Sequence, residues 1–313
     1  MNKIKIGNSE ILGSQIVLGC MRMNGLNEDE AAKVIETAIE NGINFFDHAD
    51  IYGGFNGESE RRFSGALKKT DIKREDIILQ SKCAIRQHSS GEFNYYDFSY
   101  EHIINSVNDI LIRLDTDYVD ILLLHRPDTL MEPEEVAKAF DKLHNEGKVK
   151  SFGVSNQHPY HIELLKKYVN QNIIANQLQF SPVHTGMINS GMEVNMASPG
   201  AINRDGMILE YSRINNITIQ AWSPYQFGVI EGVFLNNPDF KNVNSVIRRI
   251  ADDKGVSDVA VIAAWITRHP AKIQVVAGSM NPTRIAEICK SSNIHLSREE
   301  WYEIYHAAGN IIP

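Results

Sequence analysis

Short apolar runs rich in Ile, Val and Leu alternate along this chain with longer segments whose apolar residues recur every three to four positions, the pattern of repeated βα units. Runs at residues 16–19, 44–47, 77–82, 118–125, 151–155, 174–177, 217–221 and 273–277 are the expected strands. Amphipathic segments at 28–40, 59–68, 100–114, 134–145, 160–168, 206–214, 258–268 and 283–291 are the expected helices. In the first of these Ala31, Val34, Ile35, Ala38 and Ile39 form one stripe; in 100–114 Ile103, Val107, Ile110 and Leu114 form another. Pro133 and Pro282 stand where they can open helices, and Gly42 and Gly147 stand just past them. A strand followed by a helix, repeated around a parallel sheet, predicts an α/β fold that closes as a (β/α)8 TIM barrel.

Three pieces fall outside the repeat. The first residues alternate apolar and polar around Gly7-Asn8, which predicts a hairpin closing the barrel floor. Residues 245–254 and 298–309 read as added helices, the latter with Trp301, Ile304, Tyr305 and Ala308 on one face. Residues 181–205 carry no periodicity and are expected to form a long loop after the sixth strand. No linker or composition break divides the chain, so residues 1–313 are expected to form one domain.

Composition narrows the function classes. Lys and Arg number 31 against 39 Asp and Glu, a net charge of -8, which argues against nucleic acid or an anionic membrane as partner. Cys20, Cys83 and Cys289 are odd in number and far apart, so neither a disulfide framework nor a CxxC metal site is expected. The first residues hold no signal-type apolar stretch and nowhere do eighteen apolar residues run together, so a cytoplasmic location is expected. An acidic surface without an obvious apolar stripe suits a monomer or a weak homodimer.

In such a barrel the chemistry belongs at the C-terminal ends of the strands. Asp47 ends the second expected strand, Tyr52 follows on its loop, Lys82 ends the third and His125 the fourth. Singly each has an ordinary structural explanation. Together they sit on neighbouring strands facing one mouth, where Asp47 can partner Lys82 and the Lys82 cation is expected to lower the Tyr52 phenol below its usual value near 10. Such a cluster suits protonation of a developing alkoxide while a hydride reaches the carbonyl carbon. A G-x-G-x-x-G dinucleotide motif is missing, for Gly53, Gly54 and Gly57 are wrongly spaced. A metal-dependent hydrolase built on Asp47, His48, Asp50 and His125 is a weaker alternative, since D-H-x-D lacks the usual H-x-H pair and leaves Lys82 unexplained.

The ordered segments FDHADIYG, SKC, LLLHRPD, GVSN, NQLQFSP, AWSPY and VVAGSMNPTRIAEI closely resemble the aldo/keto reductase superfamily over essentially the whole chain. The resemblance implies an NADP-dependent oxidoreductase that reduces small carbonyl substrates, with Tyr52 as general acid, Lys82 lowering its pKa, Asp47 partnering Lys82 and His125 orienting the carbonyl. It implies carboxamide contacts from Ser155, Asn156 and Gln177, stacking of the nicotinamide on Trp222, and pyrophosphate contacts from Ser223, Tyr225, Phe227 and Gly228 and from Gly19, Cys20, Met21 and Arg22. At the eighth strand Gly278, Ser279, Met280, Asn281 and Arg284 match the positions around the adenosine 2′-phosphate, and Glu287 an adenine contact. Gly278 stands where many relatives carry Lys and Ile288 where many carry Asn, which leaves Arg284 alone with most of the phosphate charge. NADPH is the expected cofactor, NADH the weaker alternative, and no metal is expected. Met21, Met23, Tyr52, Phe55, His88, Phe93, Phe180 and residues 183–203 are the expected substrate lining, and His48 is read as structural. A catalytically weak NADP(H)-binding sensor or regulatory subunit is the alternative function.

Overall fold

The computed structural model describes residues 1–312. Eight parallel strands, Ile16–Gly19, Phe45–Asp47, Ile78–Cys83, Val119–Leu124, Val149–Ser155, Ile173–Gln179, Thr218–Trp222 and Gln274–Ala277, close into a barrel in sequence order. The expected helices surround it as a (β/α)8 TIM barrel, and the added helix begins at Lys241 rather than Ser245. Local chemistry defines their ends. Asn27 with Glu30, and Ser297 with Glu300, form reciprocal capping boxes, while Pro133 and Pro282 occupy first turns. Trp265 and Trp301 stack at 4.9 Å and exchange indole-to-carbonyl hydrogen bonds, which fastens the C-terminal helix Arg298–Ala307 to Asp258–Thr267.

The N-terminal hairpin pairs Lys3–Lys5 with Leu12–Ser14 and plugs the floor. Fully buried Ile6 packs with Val17, Phe45, Ile121, Leu123 and Ile174 in a cluster filling the lower barrel. Its connection around Gly7-Asn8 is a wide loop, closed by Ile6 N–H donating to the Ile11 carbonyl. Gly7 has φ +51°, and a Cβ there would lie 2.2 Å from the Ile174 carbonyl oxygen, so the close approach requires glycine.

Residues 181–205 are not structureless. They hold a short helix, Gly186–Met192, and a turn at Pro199–Ala201. The helix is held from outside the segment: Thr185 Oγ1 donates to Asn310 Oδ1, and Tyr305 O–H donates to Asn189. Partners so distant in sequence leave no local periodicity. The mouth also carries two short hairpins, Ile85–Gln87 with Asn94–Tyr96 and Gln226–Phe227 with Gly232–Val233. No described helix is long and apolar enough to cross a membrane.

Candidate active site

Alternation along a strand sends every second residue into the barrel. On the second strand this selects Phe45 for the apolar floor and Asp47 for the layer above it; on the third, Gln80 and Lys82 point inward in turn. Lys82 is completely buried and precedes the last residue of its strand, Cys83. Its Nζ donates to both Asp47 carboxylate oxygens at 2.8 Å, to the His48 carbonyl at 2.7 Å and to the Tyr52 hydroxyl oxygen at 3.1 Å. Because the ammonium occupies a lone pair of that oxygen, the phenolic proton is left to point elsewhere. Tyr52 and His125 stand edge to face with ring centroids 6.1 Å apart, and both line a cavity of about 820 Å³. The structure therefore brings all four expected residues to one place.

The Tyr52 loop is tied down from below. Ser59 N–H donates to the Tyr52 carbonyl, and Ser59 Oγ to the Met21 carbonyl. Buried Glu60 accepts from Arg113 Nε and Ser81 Oγ, each at 2.6 Å, which joins helix Glu58–Leu67 to Tyr100–Leu114 and to the strand bearing Lys82.

Burial opposes the Lys82 ammonium, but Asp47 and Tyr52 outweigh it, and its pKa lies above the ordinary lysine value. Tyr52 departs from the expectation. Burial raises its pKa more than Lys82 lowers it, with Asp47 adding to the rise, so the phenol is held protonated above its usual value. Burial first, then Lys82 and Arg126, depress the His125 imidazole well below its usual value, leaving it neutral. His48 is brought down to about 3 by burial and then Lys82, and packs edge-on against Phe63 at 4.6 Å, away from the cavity wall. A metal reading thus lacks its ligands: Lys82 occupies both Asp47 oxygens and His48 faces the core. Among the described residues no three His, Cys, Asp or Glu side chains are grouped to hold an ion.

The same cavity is lined by Gly19, Met21, Arg22, Asp47, Ser155, Asn156, Gln177, Trp222, Ser223, Tyr225, Gly278, Ser279, Met280, Asn281 and Arg284, drawn from the first, second, fifth, sixth, seventh and eighth strand ends. Cys20, Phe227, Gly228 and Glu287 do not reach its wall. Cys20 is buried behind it, Phe227 packs on Phe240, the Gly228 carbonyl accepts from Gln179, and Glu287 pairs with Lys290. Trp222 is half-buried at the wall rather than in the core, and its Nε1 donates to Asn156 Oδ1 at 3.2 Å. Asn156 Nδ2 donates to Ser155 Oγ, which donates to the Gln177 carbonyl, so these three residues and the indole are one rigid cluster. At the far end Asn281 caps helix Pro282–Cys289, whose N-terminus faces the cavity beside Arg284. Arg284 is not the lone cation there, because Arg22 also lines this end and donates to the Gly278 carbonyl at 3.2 Å.

The expected substrate lining is only partly met. Met21 and Tyr52 face the cavity; Met23 and Phe180 are fully buried in the core, Phe55 lies outside on the surface, and His88 and Phe93 stack on each other at the tip of the first mouth hairpin. Ile85, from that hairpin, takes a place on the wall. Sequence reasoning also missed a buried glutamine ladder. Gln80 Nε2 donates to Asp47 Oδ1 at 2.6 Å and to Gln220; Gln220 donates to Gln274, and Gln177 Nε2 donates to Asp47 at 3.0 Å. The signal was an amide two residues before Lys82 and before Trp222, at inward parity inside otherwise apolar runs.

The chain matches the aldo/keto reductase family over residues 15–308. It is 34% identical to a 6-dehydroglucose reductase of Agrobacterium fabrum, covering 94% of each chain, and 34% identical to an uncharacterized oxidoreductase of Bacillus subtilis over the full length of both. Among solved structures, a thermostable aldo-keto reductase crystallised with the inhibitor epalrestat superposes with a TM-score of 0.76 at 24% identity, covering 98% of this chain and 100% of that one.

Proposed function

The chain belongs to the aldo/keto reductase family, and from that premise we propose that it is an NADPH-dependent reductase of aldehydes and ketones with Tyr52 as general acid. The observation that carries the reading is the Lys82 Nζ to Tyr52 hydroxyl contact of 3.1 Å at the inner end of a cavity whose other end holds two guanidinium groups and a helix N-terminus.

The wall suits a dinucleotide in extended form. A half-buried indole offers a stacking face, a fixed amide and hydroxyl cluster stands beside it, and Arg22 and Arg284 suit a phosphate at the opposite end. Ser155, Asn156 and Gln177 would hold the carboxamide, Trp222 the nicotinamide ring, Ser223 and Tyr225 the pyrophosphate, and Arg22, Ser279, Asn281 and Arg284 the 2′-phosphate. A nicotinamide held there would supply the hydride. His125, neutral, orients the carbonyl oxygen, and Tyr52 passes its hydroxyl proton to that oxygen as negative charge develops. The resulting phenolate lies against the Lys82 ammonium, whose charge is anchored by Asp47. Gln80 and Gln177 hold Asp47 in place, so the cation is positioned before substrate arrives.

The test is steady-state reduction of a carbonyl panel with NADPH, including the 6-dehydroglucose for which the Agrobacterium relative is named. Tyr52→Phe should lower kcat by roughly a hundredfold or more while NADPH affinity stays close to wild type. An unchanged kcat would remove Tyr52 from the reaction, and NADPH retained without turnover of any carbonyl would favour a sensor.

A further inference from the structure

A second cavity, of about 460 Å³, shares Arg126, Asn156 and Trp222 with the first and is otherwise walled by the end of the sixth strand, the segments following the fifth and sixth strands, and Val229 after the seventh. Its polar lining is mixed, with two guanidinium groups, two imidazoles, several amides and one carboxylate. Arg126, the residue after His125, has its guanidinium carbon 5.8 Å over the Trp222 ring, and among the described residues no carboxylate pairs with it. Arg204, on the opposite wall, is likewise without a carboxylate partner among the described residues. Gln157 is 3% exposed, lines the cavity, and its Nε2 has no hydrogen-bond partner. Arg204 is exposed to water, whereas the unused donors of half-buried Arg126 and buried Gln157 are unfavourable unless an acceptor arrives. One acid, Asp205, also lines the cavity, but its carboxylate accepts the Met207 N–H at 3.1 Å and burial raises its pKa. His158 Nδ1 already accepts the Tyr160 N–H, and burial keeps His184 below its usual pKa. The balance is two guanidinium groups against one engaged carboxylate, with Leu178, Met187 and Ile208 supplying apolar wall between them.

We propose that this cavity recognises an anionic group, a carboxylate or a phosphate monoester, at the far end of the carbonyl substrate. The inference rests on the reductase reading and adds a substrate class to it. The carbonyl lies at Tyr52 and His125, the chain passes Arg126, and the anion sits between Arg126, Arg204 and Gln157. Trp222, whose indole N–H donates to Asn156, and Arg126 line both spaces and mark their junction. Guanidinium recognition of an oxyanion, being charge-assisted, corresponds to a preference of roughly ten- to a hundredfold.

The experiment compares kcat/KM within matched pairs: adipic semialdehyde against its methyl ester, and glycolaldehyde phosphate against glycolaldehyde. Wild-type protein should prefer the anionic member of at least one pair by roughly tenfold or more, and the preferred pair tells carboxylate from phosphate. Arg126→Gln should remove most of that preference, and the more exposed Arg204→Gln a smaller part. Equal values within both pairs, or a preference that survives Arg126→Gln, overturns the proposal. If no aldehyde is reduced, calorimetric titration with adipate and with phosphoglycolate decides. Binding that Arg126→Gln abolishes keeps the anion site while the reductase reading falls, and no binding removes both.

Discussion

The Asp47–Lys82 pair makes a quantitative prediction independent of turnover. Lys82 Nζ has four oxygen contacts within 3.1 Å, two of them on Asp47, and the two side chains are at most 2% exposed. Lys82→Met keeps an unbranched side chain, one atom shorter, and deletes the charge, which leaves a buried carboxylate held only by the amides of Gln80 and Gln177. Asp47→Asn preserves an acceptor for those amides but strands a buried ammonium. Each single change should lower stability by about 3–5 kcal/mol. The double variant has no charge to strand; it leaves chiefly the His48 carbonyl without its donor, a loss of about 1–3 kcal/mol. The double effect should therefore fall short of the sum of the singles by roughly 3 kcal/mol or more. Urea unfolding of the four proteins, ligand-free at neutral pH, measures this coupling. Additivity within about 0.5 kcal/mol would mean that the pair is not desolvated as the geometry implies. The pH dependence carries a sign as well. Lys82 and Tyr52 both have raised pKa values when folded, so their contribution is complete below about pH 10 and is lost as pH climbs above it. Wild type should lose stability on that alkaline side more steeply than the double variant.

Other expectations concern catalysis and the surrounding charges. With Tyr52 held protonated and His125 held neutral, kcat/KM for carbonyl reduction should be flat from about pH 6 to pH 9, and an ionisation inside that window tracing to either residue would contradict the electrostatics described. Arg22→Ala and Arg284→Ala should each weaken NADPH binding by roughly tenfold and leave NADH almost unaffected, followed by quenching of Trp fluorescence; equal losses for both nucleotides would take the 2′-phosphate away from this end. Asp50 Oδ1 is shut off from water without a partner, and burial and then Glu60 push its pKa up to about 8. Its protonated form is the one that folds well, so stability present below about pH 4 declines as pH rises to about 8. Asp50→Asn should flatten that decline and raise stability near pH 8 by on the order of 2 kcal/mol, read by urea unfolding across pH; an unchanged slope would refute the assignment.

Much of the architecture was legible from local pattern. Each strand and helix is a short stretch whose period, 2 or 3.6, is written in consecutive residues, and caps such as Asn27 with Glu30 act within one turn. The ordered motifs were enough to gather Asp47, Tyr52, Lys82 and His125 at one mouth, because parallel strands in sequence order leave their C-terminal ends together. What escaped depends on atoms far apart in the chain. The sign of the Tyr52 shift was misread because a neighbouring cation is visible in a sequence and the depth of burial that opposes it is not. Arg22 beside Gly278, the glutamine ladder from Gln80 to Gln274, and the helix at Gly186–Met192 held by Asn310 and Tyr305 are contacts across tens to hundreds of residues. Met23, Phe55, His88, Phe93 and Phe180 failed as pocket residues for the same reason, since which way a loop side chain faces is set by the neighbours it meets after the barrel closes. The sequence by itself determined the elements, their order and which four side chains meet at the mouth. Only the tertiary structure decided their protonation states and the shape of the space above them, because desolvation and packing are sums over everything nearby rather than properties of a segment.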